Sequence, residues 1–155
     1  FSRRRVAFQP LLDAISAAAL PPLRQYRPQN LANTAWAFAK LSVPDGPLLD
    51  AIAEAAIARI SHFDAQGLAN TAWAFAMLKV VHRPLLDAIS AASLSKISQF
   101  GTQGWANTLW AFAALGVQDQ QLREAIAASS IRRITEFAPQ EIASLAWSCA
   151  RLALK

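Results

Sequence analysis

The sequence has few of the residues that enzymes, metalloproteins and disulfide-bonded proteins depend on. Its 155 residues include one cysteine, Cys149, two histidines, His62 and His82, and five glycines. A single cysteine cannot form an internal disulfide, which favours a reducing compartment. Neither histidine has a second ligand at metal-binding spacing, and the sequence lacks a glycine-rich phosphate loop. We therefore expect no enzymatic activity, no catalytic residue, no metal and no cofactor.

Long apolar runs are also missing, although 54% of the residues are hydrophobic. Asn, Lys, Arg or Pro interrupts each run before it reaches the roughly 18 to 20 residues that a membrane-spanning helix needs. We therefore expect the apolar residues to be buried within protein, with no membrane span. The formal net charge of +5 favours a polyanionic partner such as RNA over a small-molecule substrate.

Internal repetition is the dominant feature of the sequence. The segment LANTAWAFAKL recurs as LANTAWAFAML, as WANTLWAFAAL and, in degenerate form, as IASLAWSCARL. A second segment, PLLDAI, begins at Pro10, Pro47 and Pro84, so the period is 37 residues. A fixed period of this size is typical of a repeat array. The predicted repeats span residues 10–46, 47–83, 84–120 and 121–155.

Each repeat predicts two helices joined by a short polar loop. The first helix begins at the proline, whose fixed φ suits a first turn, and an acidic residue three positions later complements the helix dipole. Apolar residues follow at helical spacing in both segments. Because such a hairpin cannot bury both of its apolar faces alone, the predicted fold is all-α. We expect a right-handed α-solenoid of four stacked αα-hairpin repeats.

The second helix of each repeat carries a tryptophan and, in three repeats, an asparagine. We interpret both as structural residues of the repeat core. The tryptophans fill the volume between repeats, and the asparagine amides form a ladder of hydrogen bonds to neighbouring backbone, since buried polar groups are normally paired. Direct contact of the asparagines with a ligand is the alternative. The residues concerned are Asn33, Trp36, Asn70, Trp73, Asn107, Trp110 and Trp147.

Two further positions follow from the period. Cys149 occupies the slot of Phe38 and is expected to be a small core residue rather than a nucleophile. Continued backwards, the period aligns Phe1 with Phe38 and Val6 with Val43. Residues 1–9 are therefore expected to be the remnant of a preceding repeat and to pack poorly without it.

The repeated segment Q-x-LAN-x-x-WAFA-x-L and the 37-residue period resemble those of the octotricopeptide and heptatricopeptide repeat proteins. These are related to the repeat regions of FAST-kinase-like and RAP-domain proteins. The resemblance implies location in an organelle, the mitochondrion or the plastid (chloroplast). It also implies RNA binding in transcript maturation, stability, translation or ribosome assembly. Neither the octotricopeptide PPPEW signature nor a RAP domain occurs in the sequence.

One cation per repeat, near the end of the first helix, predicts a binding site for RNA phosphates. Arg59, Lys96 and Arg133 share this position, and Arg24 and Arg132 flank it. Such a ladder could follow the backbone of single-stranded or ribosomal RNA, although the same cations would also complement the helix dipole. The side chains in the middle of the first helices are mostly too short to reach bases.

Two functions are therefore expected from the sequence. The first is a non-catalytic organellar RNA-binding helical-repeat protein that contacts RNA mainly through phosphates. The alternative is a structural adaptor, a scaffold that docks by protein–protein contacts on a large organellar complex such as a ribosome or a photosynthetic or respiratory assembly.

Overall fold

The structure, a computed structural model, describes residues 2–154, and of these the side chains of residues 7–154. Within this range the fold is all-α, as the repeat pattern predicts, with eight α-helices and no strand. The helices are α1 (Ser2–Ala19), α2 (Pro28–Lys40), α3 (Gly46–Ala58), α4 (Ala65–Met77), α5 (Arg83–Ser95), α6 (Thr102–Leu115), α7 (Gln120–Arg132) and α8 (Pro139–Ala153). One short 3-10 turn lies between the two helices of each pair.

The helices form two layers. The second-helix layer consists of α2, α4, α6 and α8, which pack against one another in chain order through the most extensive contacts in the molecule. The first-helix layer contains α3, α5 and α7, which also pack in chain order but less closely. Alanines such as Ala69, Ala72 and Ala76 are buried along α4, and small side chains let neighbouring helices approach closely.

The core lies between the two layers. Leu49 and Ile52 of α3, Phe75 of α4 and Ile89 of α5 are fully buried. The core also includes the aromatic residue that follows each of the last three 3-10 turns. These residues, all buried, are Phe63, Phe100 and Phe137. The apolar stripes that the sequence placed at helical spacing therefore face the partner helix of the same pair and the neighbouring pairs.

The first helices of the later pairs begin at a side-chain cap. Asp45, His82 and Asp119 are the N-cap residues of α3, α5 and α7. Each accepts a hydrogen bond from the backbone N–H three residues later, at 3.0, 3.1 and 2.9 Å. These caps satisfy one of the unpaired N–H groups at a helix start. The proline that predicted each helix start in α3 and α5 lies one residue inside the helix.

The second helices end in a recurrent left-handed cap. Ser42, Lys79 and Gly116 have φ of 54°, 58° and 69°, and they are spaced by the 37-residue period. The residue after each cap donates its backbone N–H to the carbonyl five residues earlier, for example Val80 to Phe75 at 2.9 Å. This is the hydrogen-bond pattern of a Schellman motif.

The start of the chain differs from the prediction. The register requires a loop before Pro10, but α1 runs through Pro10 as one helix. Phe1, on which the alignment to a preceding repeat partly rests, lies outside the described residues. Along α1, Phe8, Leu11 and Ile15 are exposed, so the side of this helix that carries them has no neighbour among the residues that the structure describes.

Candidate nucleic-acid interface

The cations predicted to bind phosphates reach back to the preceding helix pair. Arg59 donates from Nη1 to the carbonyl oxygen of Tyr26 at 3.0 Å. Lys96 Nζ donates to the carbonyl of Ser61 at 2.8 Å and also to that of Phe63. Both cations therefore satisfy carbonyl groups in the loop of the preceding pair, which the sequence analysis did not predict.

Arg133, the third member of this ladder, contacts one residue of its own pair and one of the preceding pair. Its Nε donates to Glu136 Oε2 at 2.8 Å, and its guanidinium lies 5.2 Å from the centre of the Trp105 ring. The hydrogen bond from Arg133 lowers the pKa of Glu136 below its ordinary value. It also raises the pKa of Arg133. The guanidinium thus forms an ion pair with Glu136 and a cation–π contact with Trp105.

Three of the five predicted phosphate ligands therefore have partners within the chain. The side chains of Arg24 and Arg132 are exposed and take part in no hydrogen bond or ion pair among the described residues. Phosphate binding by these five residues stays a prediction, but Arg59 and Lys96 would have to leave backbone carbonyls to act in it.

The interpretation of the tryptophans as core residues is wrong for two of the four. Trp36 is 42% exposed and Trp147 is 45% exposed, whereas Trp73 and Trp110 are half-buried and pack against the core. The buried tryptophan is the fifth one, Trp105, which is 2% exposed. It occupies the slot of Leu31 and donates its Nε1–H to the carbonyl of Ile97 at 3.2 Å.

The four other tryptophans form a line across the second-helix layer, which we call the tryptophan stripe (Trp36, Trp73, Trp110 and Trp147). Trp110 and Trp147 are in contact, with ring centres 6.2 Å apart. Lys40 Nζ lies 5.4 Å from the ring centres of both Trp36 and Trp73, and the Arg151 guanidinium lies 5.9 Å from that of Trp147. The stripe thus combines accessible ring faces with cations.

The predicted ladder of asparagine hydrogen bonds is also wrong. Asn33 is exposed and Asn70 and Asn107 are half-buried. Their side chains form no hydrogen bond with any described residue. The reason is helical geometry: each asparagine precedes its tryptophan by three residues, so both side chains lie on the same face of the helix. Contact of the asparagines with a ligand, the alternative from the sequence, stays a prediction.

A groove runs along this face beside Trp36, with a volume of about 460 Å³. Five side-chain amides line it, together with Trp36 and small or apolar residues, and the described lining contains no charged residue. We call it the amide groove; its amides are those of Gln66, Asn70, Gln99, Gln103 and Asn107. None of the five forms a side-chain hydrogen bond within the part of the chain that the structure describes.

Cys149, expected in the core, is exposed. It lies on α8, which packs against α6 in the second-helix layer. Among the described side chains no group of three His, Cys, Asp or Glu residues is placed to hold a metal ion. In the same part of the chain, every helix is too short or too polar to cross a membrane.

A comparison with protein-family models identifies the family. The model described as RNA-editing substrate-binding complex 6 protein matches residues 1–155. No curated protein matches the chain. The resemblance to octotricopeptide and heptatricopeptide repeat proteins, with the relation to FAST-kinase-like and RAP-domain proteins, is therefore wrong. Repeat length and helical pattern reflect the packing of paired helices, which unrelated arrays share. The chain belongs to the RNA-editing substrate-binding complex 6 protein family.

Proposed function

We propose that this protein is a non-catalytic RNA-binding subunit of an RNA-editing substrate-binding complex, and that it also contacts other protein subunits there. The name of its family and the net charge of +5 support an RNA partner. Of the two organelles expected from the sequence we propose the mitochondrion, because RNA-editing complexes of this kind are mitochondrial.

The fold that we propose for this function is a right-handed α-solenoid of four helix pairs. The starts of α3, α5 and α7, at Gly46, Arg83 and Gln120, recur every 37 residues. The second-helix layer packs more tightly than the first-helix layer. A stacked array curves toward its more closely spaced layer, so the tryptophan stripe would line the concave surface, which such arrays use for binding.

The observation that carries the proposal is the tryptophan stripe with its two cations. Bases stack on exposed aromatic rings whatever their sequence, and nearby cations neutralise the backbone. Lys40 and Arg151 lie over rings of the stripe and form no salt bridge within the described residues. Their charges therefore remain for an external anion.

Binding of single-stranded RNA, measured over a series of salt concentrations, tests the proposal. The double variant Lys40→Gln/Arg151→Gln should bind more weakly and flatten the plot of log affinity against log salt by about 1.4, at about 0.7 per lost phosphate contact. The control is Arg24→Gln/Arg132→Gln, which removes the same charge from exposed positions outside the stripe. The control should keep nearly the full slope.

If only the Arg24→Gln/Arg132→Gln variant flattens the slope, the phosphate contacts lie instead at the cations predicted near the ends of the first helices. Absence of RNA binding by the wild-type chain at low salt would contradict the proposed function.

A second function, that of a structural adaptor, is favoured by apolar side chains at both ends of the array. Phe8 and Leu11 on α1 are 51% and 55% exposed, and Ile131 in the last pair is 73% exposed. An adaptor without RNA contact would lose its partner subunits on Ile131→Glu and keep them on Lys40→Gln. A variant with the stripe changed that still co-purifies with the complex but without RNA would support the RNA-binding role.

A further inference from the structure

We infer that the amide groove binds the edges of unpaired RNA bases, an inference that rests on the proposed RNA-binding function and names the part of the RNA that is recognised. Phosphate contacts alone position a nucleic acid without reading it. The groove has the chemistry for the other kind of contact.

The amides of the groove are available for hydrogen bonding. Each side-chain amide offers two N–H donors and a carbonyl acceptor, and none of the five is used within the described part of the chain. Asn70 and Asn107 are half-buried, so a ligand that contacts them loses much of its hydration water. A donor next to an acceptor matches the edge of a nucleobase, which presents the same pair in reverse.

The absence of charge along the described lining of the groove selects against a phosphate as occupant. Phosphate and carboxylate groups are bound by arginine, lysine or several backbone N–H groups, whereas this lining is amide, aromatic and small. A neutral, planar, hydrogen-bonding ligand fits better. The volume of the amide groove, about 460 Å³, lies within the range of about 300 to 1,000 Å³ typical of small-ligand sites.

The surroundings orient such a base. Trp36 borders the groove and is 42% exposed, so its ring can stack on a base whose edge faces the amides. Lys40 Nζ lies 5.4 Å from the centre of that ring, outside the groove lining. The base would therefore enter the groove while its phosphate stays beside the ammonium group.

This arrangement requires single-stranded RNA and provides no positional code. The edges that a side-chain amide reads are occupied in a duplex, and RNA is read mainly where its bases are unpaired. Gln66 and Gln103 share one repeat position, and Asn70 and Asn107 share another. Successive bases would meet identical groups, so the groove responds to the presence of bases more than to their order.

Abasic RNA separates base contacts from backbone contacts. We compare a short single-stranded RNA of mixed sequence, an abasic strand of the same length, and the RNA in a duplex with its complement. Each is titrated with the full chain and followed by fluorescence anisotropy. The wild type should bind the base-bearing single strand about tenfold or more tightly than either of the other two, as stacking and two amide contacts together predict.

The double variant Asn70→Ala/Asn107→Ala should lose about tenfold in affinity for the base-bearing strand and keep its affinity for the abasic strand. Alanine is the best helix former, so α4 and α6 should be retained, which circular dichroism and urea denaturation check. The matched control is Gln25→Ala/Gln121→Ala, which removes two exposed amides outside the groove. It should bind all three probes like the wild type.

Equal affinity of the wild type for abasic and base-bearing strands would overturn the inference while leaving the proposed function intact. The same holds if the asparagine variant binds like its control, or loses affinity for both strands alike. Failure of the wild type to bind any of the three probes would overturn both.

Discussion

The indole rings of the five tryptophans lie in two environments because they occupy two positions on the second helices. Trp105 begins its segment, whereas Trp110 follows five residues later, about 140° around the helix. The first position faces the core between the layers, and Trp105 stacks there on Phe137 with ring centres 6.2 Å apart. The second position lies on the side of the layer that carries the stripe.

Replacement of the two kinds of tryptophan should therefore have unequal effects on stability. Trp105→Ala should lower the free energy of unfolding by about 3 to 5 kcal/mol, as expected for a large buried aromatic. Trp36→Ala should lower it by about 1 kcal/mol or less, because the ring is already 42% exposed. Urea denaturation measures both values. Equal losses in the two variants would contradict the assignment of Trp36 to the surface.

The pair Arg133–Glu136 predicts a pH effect of known sign. Because the hydrogen bond from Arg133 lowers the pKa of Glu136 in the folded state, the pair stabilises the fold above the ordinary pKa of about 4.5. This contribution disappears as pH falls through the lower folded-state pKa. An NMR titration of the Glu136 carboxyl should show the low pKa in the wild type and a value near 4.5 in Arg133→Gln. Arg132→Gln, at the adjacent exposed position, should leave the pKa of Glu136 low.

At the scale of the helix, the period predicted which segments are helical but not which side each one exposes. LANTAWAFAKL is apolar around most of its circumference, so its pattern alone does not separate the face toward the core from the face that carries Trp36. The tryptophans were predicted to be buried because the indole ring is large and hydrophobic. The contacts of Arg59 and Lys96 with the preceding loop depend on tertiary distances, and no local sequence pattern reports them.

The left-handed caps of the second helices were likewise not predicted, because two of the three positions lack glycine. A side chain with a Cβ is strained in this conformation by roughly 1 kcal/mol. Lys79→Gly should therefore raise the free energy of unfolding by about 0.5 to 1 kcal/mol, whereas Gly116→Ala should lower it by about 1 kcal/mol. Lys79→Ala is the control for loss of the charge and should not stabilise. Stabilisation by Lys79→Ala equal to that by Lys79→Gly would show that the charge, not the backbone, is responsible.

At the scale of the whole molecule, residues at the ends of the first helices form hydrogen bonds between pairs, and the second-helix layer carries the surface that we propose for RNA binding. Arg59 and Lys96 connect their pairs to the preceding ones through backbone carbonyls, and the second-helix layer presents the tryptophan stripe and the amide groove on one surface. The sequence predicted the all-α fold and the eight helices seen in the described residues, because the repeated segments carry the helical pattern. The sequence did not predict the proposed binding surface, because its tryptophans and asparagines recur at positions that a buried core would also explain.

Ultraviolet cross-linking of RNA to this protein in its native complex, with the attached peptides identified by mass spectrometry, shows most directly whether RNA lies on the second-helix layer. We expect cross-links on peptides of the second-helix layer, concentrated at the tryptophan stripe and at the asparagines three residues before its tryptophans. Peptides of α3, α5 and α7 should carry few. Cross-links concentrated on the first-helix layer, or none on this chain while other subunits of the same complex are cross-linked, would contradict this expectation.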